Sequence, residues 1–287
     1  MAAEEIAYLT LEEITERLAK VLAEWPLYRV FTYYSTSDPN DPPRVIKHYC
    51  RTCVGDQLWG LQDDRTYWRG FCSAEYKCRN CLKERLRYYF IWERRSNEAV
   101  SDFMKVGQHP PLEERIPAQL ETRLGATSRE DLDYYKKAIR CRNFNYGLAA
   151  LSYLRRVVEN RMNDLLDLIA DVAREQGFAT DQVAELDRIK ASRVFDHKIT
   201  FASKILPLSL QPGGQNPVDL LHDIASDGIH NKSEDECIEL FDISRHVFEY
   251  LFRELEVRKA DAAQYSGGLK DLLAKKAARR PRREQEK

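Results

Sequence analysis

The chain has 287 residues, 43% of them hydrophobic and 32% charged, which is enough apolar material for a real core and too much for a disordered chain. Its 45 basic and 46 acidic residues leave a net charge of −1, so a uniformly basic nucleic-acid coat protein is excluded while local basic patches are not. No run reaches 18 apolar residues, and the start carries Glu4 and Glu5 with no basic-then-apolar leader. Neither a membrane span nor a signal peptide is expected, which makes the cytoplasm the expected compartment.

In chain order, Thr10 to Trp25 reads as a helix: Thr10 and Glu13 form a capping box, and Ile14, Leu18, Val21, Leu22 and Trp25 share one face. Pro26 stops it. Leu27 to Tyr34, Arg44 to Tyr49, Arg85 to Trp92 and Ala99 to Val106 read as strands, with a Pro- and Asp-rich loop at Ser35 to Pro43.

After His109-Pro110-Pro111 the periodicity becomes helical. Ser128 and Asp131 cap a helix to about Arg142. Gly147 to Gln176 has the strongest stripe: Leu151, Leu154, Val158, Met162, Leu165, Leu166, Ile169 and Val172, with Gly177 as its C-terminal stop. Asp181 to Val194 and Asp196 to Leu206 read as shorter helices. Asn216-Pro217 opens another, and a second capping box at Ser233 and Glu236 opens one running to about Lys259. The expected organisation is α+β: an N-terminal helix over residues 1–26, a metal-binding module with a small antiparallel sheet over 27–109, an α-helical bundle over 110–260 and a charged, flexible tail over 261–287. From Lys270 onward the tail carries eight basic and three acidic residues, which reads either as a frayed end or as an arm for phosphate.

Two identical hooks carry the clearest chemistry. Cys50-x2-Cys53 and Cys78-x2-Cys81 each put two thiolates on one side of a tight turn, and together they supply the four soft ligands of a tetrahedral ion. One structural Zn²⁺ per chain is expected, with no coordination position open for a substrate water. A redox dithiol is the alternative for either pair, although no βαβ pattern surrounds them. His48 would have to displace a hook cysteine. Cys72 has no partner at hook spacing and reads as a half-buried free thiol, while Cys141 and Cys237 read as small hydrophobes on helices.

Residues 44–95 hold 12 basic and 6 acidic residues, interleaved with Trp59, Tyr67, Trp68, Phe71, Tyr88, Tyr89 and Trp92. Cations that track phosphates beside rings that stack bases suit a single-stranded nucleic acid. Trp59, Trp68, Arg79, Arg85 and Arg87 are the candidate surface; packing of the same rings into a small core is the competing reading.

Residues 128–259 contain Gly147-Leu-Ala-Ala-Leu-Ser-Tyr-Leu-Arg-Arg-Val-Val-Glu159, Leu220-Leu221 and Gly228-Ile-His-Asn-Lys-Ser-Glu-Asp-Glu-Cys237. With the Tyr76-Lys-Cys-Arg-Asn-Cys81 hook, these stretches resemble a large bacterial family that joins a zinc ribbon to a HEPN-like helical bundle. The resemblance covers about residues 44–259 and implies a zinc ribbon, a helical bundle able to form oligomers, and RNA or nucleotide binding, with roles in bacterial defence or regulation. Ribonuclease members of such bundles place four to six residues between an Arg and the His that follows it. Here the positions at that distance before His230 are Asp223, Ile224 and Ala225, and none of the other five histidines has a correctly spaced Arg. The expectation is therefore a non-catalytic binder of RNA or a single strand. A metal-independent ribonuclease with an altered site and a protein–protein adaptor are the alternatives. Arg155, Arg156, Glu159, His230 and Asn231 form either a polar bracket between helices or a ligand pocket near a helix N-terminus.

Overall fold

The computed structural model describes residues 8–35, 39, 41–63, 68–95, 99–112, 116–175, 185–226 and 231–284. It is mixed α+β, with a six-stranded antiparallel sheet and, among the described residues, eight α-helices. The helices are α1 (Leu11–Glu24), α2 (Ala118–Thr127), α3 (Arg129–Asn143), α4 (Gly147–Glu175), α5 (Leu186–Ala191), α6 (Phe195–Ile205), α7 (Pro217–Ser226) and α8 (Glu234–Glu284). The strands are β1 (Val30–Tyr34), β2 (Val45–Cys50), β3 (Gly55–Leu61), β4 (Gly70–Cys78), β5 (Arg85–Arg94) and β6 (Val100–His109). The chain divides into two units. Met1–Glu114 and Ile139–Tyr146 form the first; Arg115–Ala138 and Gly147–Lys287 form the second. No helix among the described residues is long and apolar enough to cross a membrane.

In the first unit β2 to β6 form a meander, and β1 pairs with β6 to give the order β1-β6-β5-β4-β3-β2. The Thr10–Glu13 capping box is fully formed and satisfies the orphan N–H groups that open α1. Ile14, Leu18, Val21 and Leu22 on α1 are buried against one face of the sheet. Since α1 touches both β2 at one edge and β6 near the other, the sheet curls around the helix. The strand period of two sorts the residues. Cys72, Ala74, Tyr76 and Cys78 of β4 and Leu86, Tyr88, Phe90 and Trp92 of β5 point into this core, while Phe71 of β4 and Arg85 and Arg87 of β5 face solvent. A bulge between Tyr89 and Phe90 restarts the pairing with β6, so that Tyr89 faces Gly107 and Phe90 faces Lys105. The N-terminal helix is thus part of the sheet's core. Residues 139–146 join the same unit: Asn143 O accepts from Leu27 N–H at 2.9 Å, and Arg142 donates to Glu24 O at 2.8 Å.

The second unit is helical. α4 lies along α8, and the stripe read from the sequence is buried as one face. The two helices meet closely at Gly147, where a Cβ would stand 2.2 Å from Glu234 O. The Glu234 carboxylate accepts from Leu148 N–H at 2.9 Å in the first turn of α4. α8 continues past Lys259 to Glu284, so the residues read as a flexible tail are helical up to that point. Gly177 and the start of the expected Asp181–Val194 helix lie outside the described residues.

Candidate metal centre

Each hook follows the last residue of a strand, with Cys50 ending β2 and Cys78 ending β4. β3 lies between β2 and β4 and pairs with both, which brings the two strand ends to one end of the sheet. Both hooks close through a left-handed residue just after the second cysteine, Val54 (φ 52°) and Leu82 (φ 57°). This backbone is costly for a residue with a Cβ, and costliest for β-branched Val. Cys78 O accepts from Leu82 N–H at 3.1 Å, and Thr52 Oγ1 donates to Glu84 at 2.7 Å, tying one hook to the other.

The four sulfurs lie within 4.8 Å of one another. Cys50 Sγ is 3.7 Å from Cys81 Sγ, and Cys53 Sγ is 3.9 Å from Cys78 Sγ. Four sulfurs at about 2.3 Å from a central ion stand about 3.8 Å apart in a tetrahedron, so the cluster could hold one ion. Cys50 and Cys78 are buried, and Cys53 and Cys81 are partly exposed. Backbone N–H groups of Glu84 and Lys83 pull the Cys81 thiol down to about 6. Burial pushes the Cys50 thiol up to about 12. Asn80 Nδ2 donates to Cys53 Sγ at 3.3 Å. A divalent ion would hold all four as thiolates, and these N–H donors would then partner the sulfur charge. His48 lies outside the cluster, its ring edge-on to Trp59 and its Nδ1 3.0 Å from Tyr49 O. Cys72 is buried on the core face of β4, more fully than the sequence suggested, with Sγ 3.4 Å from Arg69 O.

The candidate nucleic-acid surface divides in two. Trp59 and Trp68 are not surface residues: they are only 2% and 1% exposed. Trp59 is opposite Cys78 in the ladder and donates to His48 O at 2.8 Å, while Trp68 stacks on Phe90. A sheet curled around one helix needs large rings to fill its inner face, and packing takes both tryptophans. Arg79, Arg85 and Arg87 are exposed. Arg79 lies across Gly60, where a methyl group would stand 2.9 Å from its Nε. Arg85 and Arg87 both donate to Glu75 on β4, Arg87 at 2.6 Å. Beside them Phe71 is 70% exposed and stacks almost parallel on Tyr89, with centroids 6.5 Å apart and planes 16° apart. Tyr67 lies outside the described residues.

In the helical unit, Arg155 pairs with Glu159 at 2.8 Å on an exposed face, and Arg156 lies over the Tyr134 ring at 4.5 Å. Arg156 faces outward, away from the bundle interior. Asn231 is exposed just before α8, and His230 lies outside the described residues. The buried polar bracket is elsewhere. Arg161 donates to Asp131 and, at 2.9 Å, to Asp164, and Asn160 donates to Asp131 at 2.7 Å. Sequence reasoning read Asp131 only as a cap. Arg161 carried a usable signal, four residues after Val157, three after Val158 and three before Asp164.

Comparison with protein-family models, with curated proteins and with solved structures finds no match to the chain.

Proposed function

We propose that the first unit carries one structural Zn²⁺ on Cys50, Cys53, Cys78 and Cys81, and that the protein binds single-stranded nucleic acid, RNA first, through the solvent-facing side of its sheet without cleaving it. Four thiolates in a tetrahedron favour zinc over hard cations and leave no open position for catalysis. The metal's role is then to hold the ends of β2 and β4 together.

The observation that carries the binding reading is the exposed Phe71–Tyr89 stack set beside Arg85 and Arg87 on neighbouring strands. Flat rings accept bases of any sequence and guanidinium groups track the phosphates. The resemblance of the sequence over residues 128–259 to HEPN-like bundles supports RNA as the ligand, and the missing Arg-to-His spacing supports binding over cleavage. The test is fluorescence anisotropy of labelled single-stranded RNA on the full-length protein at several salt concentrations. Affinity should fall with salt with a log–log slope of about −0.7 per phosphate contact. Binding that ignores salt, or no binding, would overturn the reading.

A further inference from the structure

The solvent-facing side of the sheet holds a cavity of about 380 Å³ lined by Glu75, Arg85, Arg87, Tyr89, His109 and Pro110. Its floor is a row set by the strand register: Glu75 on β4 faces Arg87 on β5, which faces His109 on β6. A carboxylate on the floor of a phosphate-binding surface is out of place, because it repels the ligand's backbone. Glu75 is nevertheless gripped by two arginines, Arg85 on Oε1 and Arg87 on Oε2, and its side chain is only 16% exposed. The two guanidinium groups hold its carboxyl below the usual carboxylate range, Arg87 contributing most. Each carboxylate oxygen keeps a second lone pair, and each guanidinium keeps further N–H groups.

Read from the Arg87 side, the bonded order in the cavity lining is a guanidinium donor, then Glu75 Oε2, then Oε1 with Arg85 beyond it, which offers a donor followed by two acceptors. Donor, acceptor, acceptor is the order that cytosine presents on its pairing edge. Its complement, acceptor, donor, donor, is guanine's O6, N1–H and N2–H₂. Adenine offers no such sequence, uracil matches only part of it, and cytosine would set acceptors against acceptors. Tyr89 lines the same cavity with Phe71 stacked on it, and their rings supply the plane for the base. Resting on the reading of this face as a single-strand surface, we infer that it is guanine-selective, with Glu75 and Arg87 reading the pairing edge of one unpaired guanine. Glu75 also explains itself on this account, since a carboxylate is the group that accepts two adjacent N–H donors at once.

The experiment uses full-length protein and fluorescein-labelled heptauridylate whose central base is guanine, hypoxanthine, adenine, cytosine or uracil, followed by anisotropy at one low salt concentration. Central guanine should bind about tenfold tighter or more than adenine, cytosine or uracil, in line with a good bidentate contact. Hypoxanthine, which lacks the N2 amino group, should fall between. Glu75→Gln replaces one acceptor by a donor and should level the series. The ligand series on the wild-type protein tests the idea whether or not that variant folds. Equal affinity for all five oligonucleotides would overturn guanine selection and leave single-strand binding standing. A guanine preference undiminished in a folded Glu75→Gln protein would place the reading elsewhere and also overturn it. No binding of any oligonucleotide would remove the broader reading and this one together.

Discussion

Lys105 Nζ, itself fully buried, donates to the main-chain carbonyl of Leu22 at 2.8 Å. The ammonium thereby caps the last turn of α1 from the neighbouring strand β6, and it lies 5.7 Å from the Tyr88 ring centre. Burial pulls its pKa from the ordinary 10.5 down to about 7, helped by Arg142. Between those two values the unfolded chain binds a proton that the folded chain does not. Raising the pH from about 7 to about 10.5 therefore stabilises the fold through this group, and below 7 its contribution is constant. Lys105→Met keeps the length of the side chain and removes the titration. Urea-unfolding free energies, measured against pH on both proteins, should show wild type gaining on the variant through that window. Parallel curves would contradict this account of Lys105.

Asp131 and Arg161, with side chains 3% and 8% exposed, form a buried charged pair in the helical unit. Arg161→Ala leaves an uncompensated carboxylate and should cost on the order of 3–5 kcal/mol. Replacing both partners, Asp131→Leu with Arg161→Met, should recover most of that loss, because apolar packing often matches a buried ion pair. Arg155→Ala breaks only a surface pair and should cost at most about 1 kcal/mol. Thermal or denaturant melts decide the order. If Arg161→Ala melted like wild type, the pair would not be holding α3 to α4.

The contrast between these two brackets shows what the amino-acid order makes legible. α1, the buried stripe of α4 and the second capping box were readable because helix periodicity and capping are local, and the Ser233–Glu236 box is present as read. The two hooks were readable because their spacing alone brings thiolates together. β3 and β4 were not. β3 carries Gly55, Asp56, Gln57 and Gly60, poor strand formers that pairing on both sides overrides. β4 turns Cys72, Ala74 and Cys78 inward, where small residues give little hydrophobic alternation. α2 was missed too: it begins without a side-chain cap, at Pro117. Which face of a strand a tryptophan occupies is set by register, a tertiary fact. Composition could therefore place Trp59 and Trp68 among basic residues but could not say that both point inward.

That inward placement separates two kinds of aromatic substitution. Trp59→Ala opens a cavity beside the four-cysteine cluster and should cost about 3–5 kcal/mol of stability. Phe71→Ala removes a ring that is mostly in water, so its melting temperature should stay close to wild type. Its affinity for single-stranded RNA should fall by about 1–3 kcal/mol if the ring stacks a base. Melting curves and anisotropy on the same preparations check both. A Phe71→Ala protein that melts normally and binds RNA as well as wild type would take the stacking platform away.

The four-cysteine cluster sets the remaining expectation. The two hooks hold strained left-handed residues at Val54 and Leu82, and Cys50 and Cys78 bury their sulfurs among the core residues of the sheet. Without an ion, four thiols crowd within 4.8 Å, with burial favouring the protonated form of Cys50 and backbone N–H donors favouring the thiolate of Cys81. With one, the repulsion of four thiolates becomes ligation, and metal binding and folding become one equilibrium. Elemental analysis of protein purified without added metal should find about one zinc per chain, matching the four-sulfur cluster. Cys50→Ser and Cys81→Ser should each lose it, and the loss should spread into the sheet, since Trp59 pairs with Cys78 and Ile46 with Trp59. A strong chelator should lower the melting temperature of wild type and barely move that of either serine variant. The Cys72→Ser protein, altered at a buried thiol outside the cluster, should keep its zinc and remain sensitive to the chelator. Wild-type protein without zinc, or serine variants that retain it in full, would show that the four cysteines do not form a zinc site.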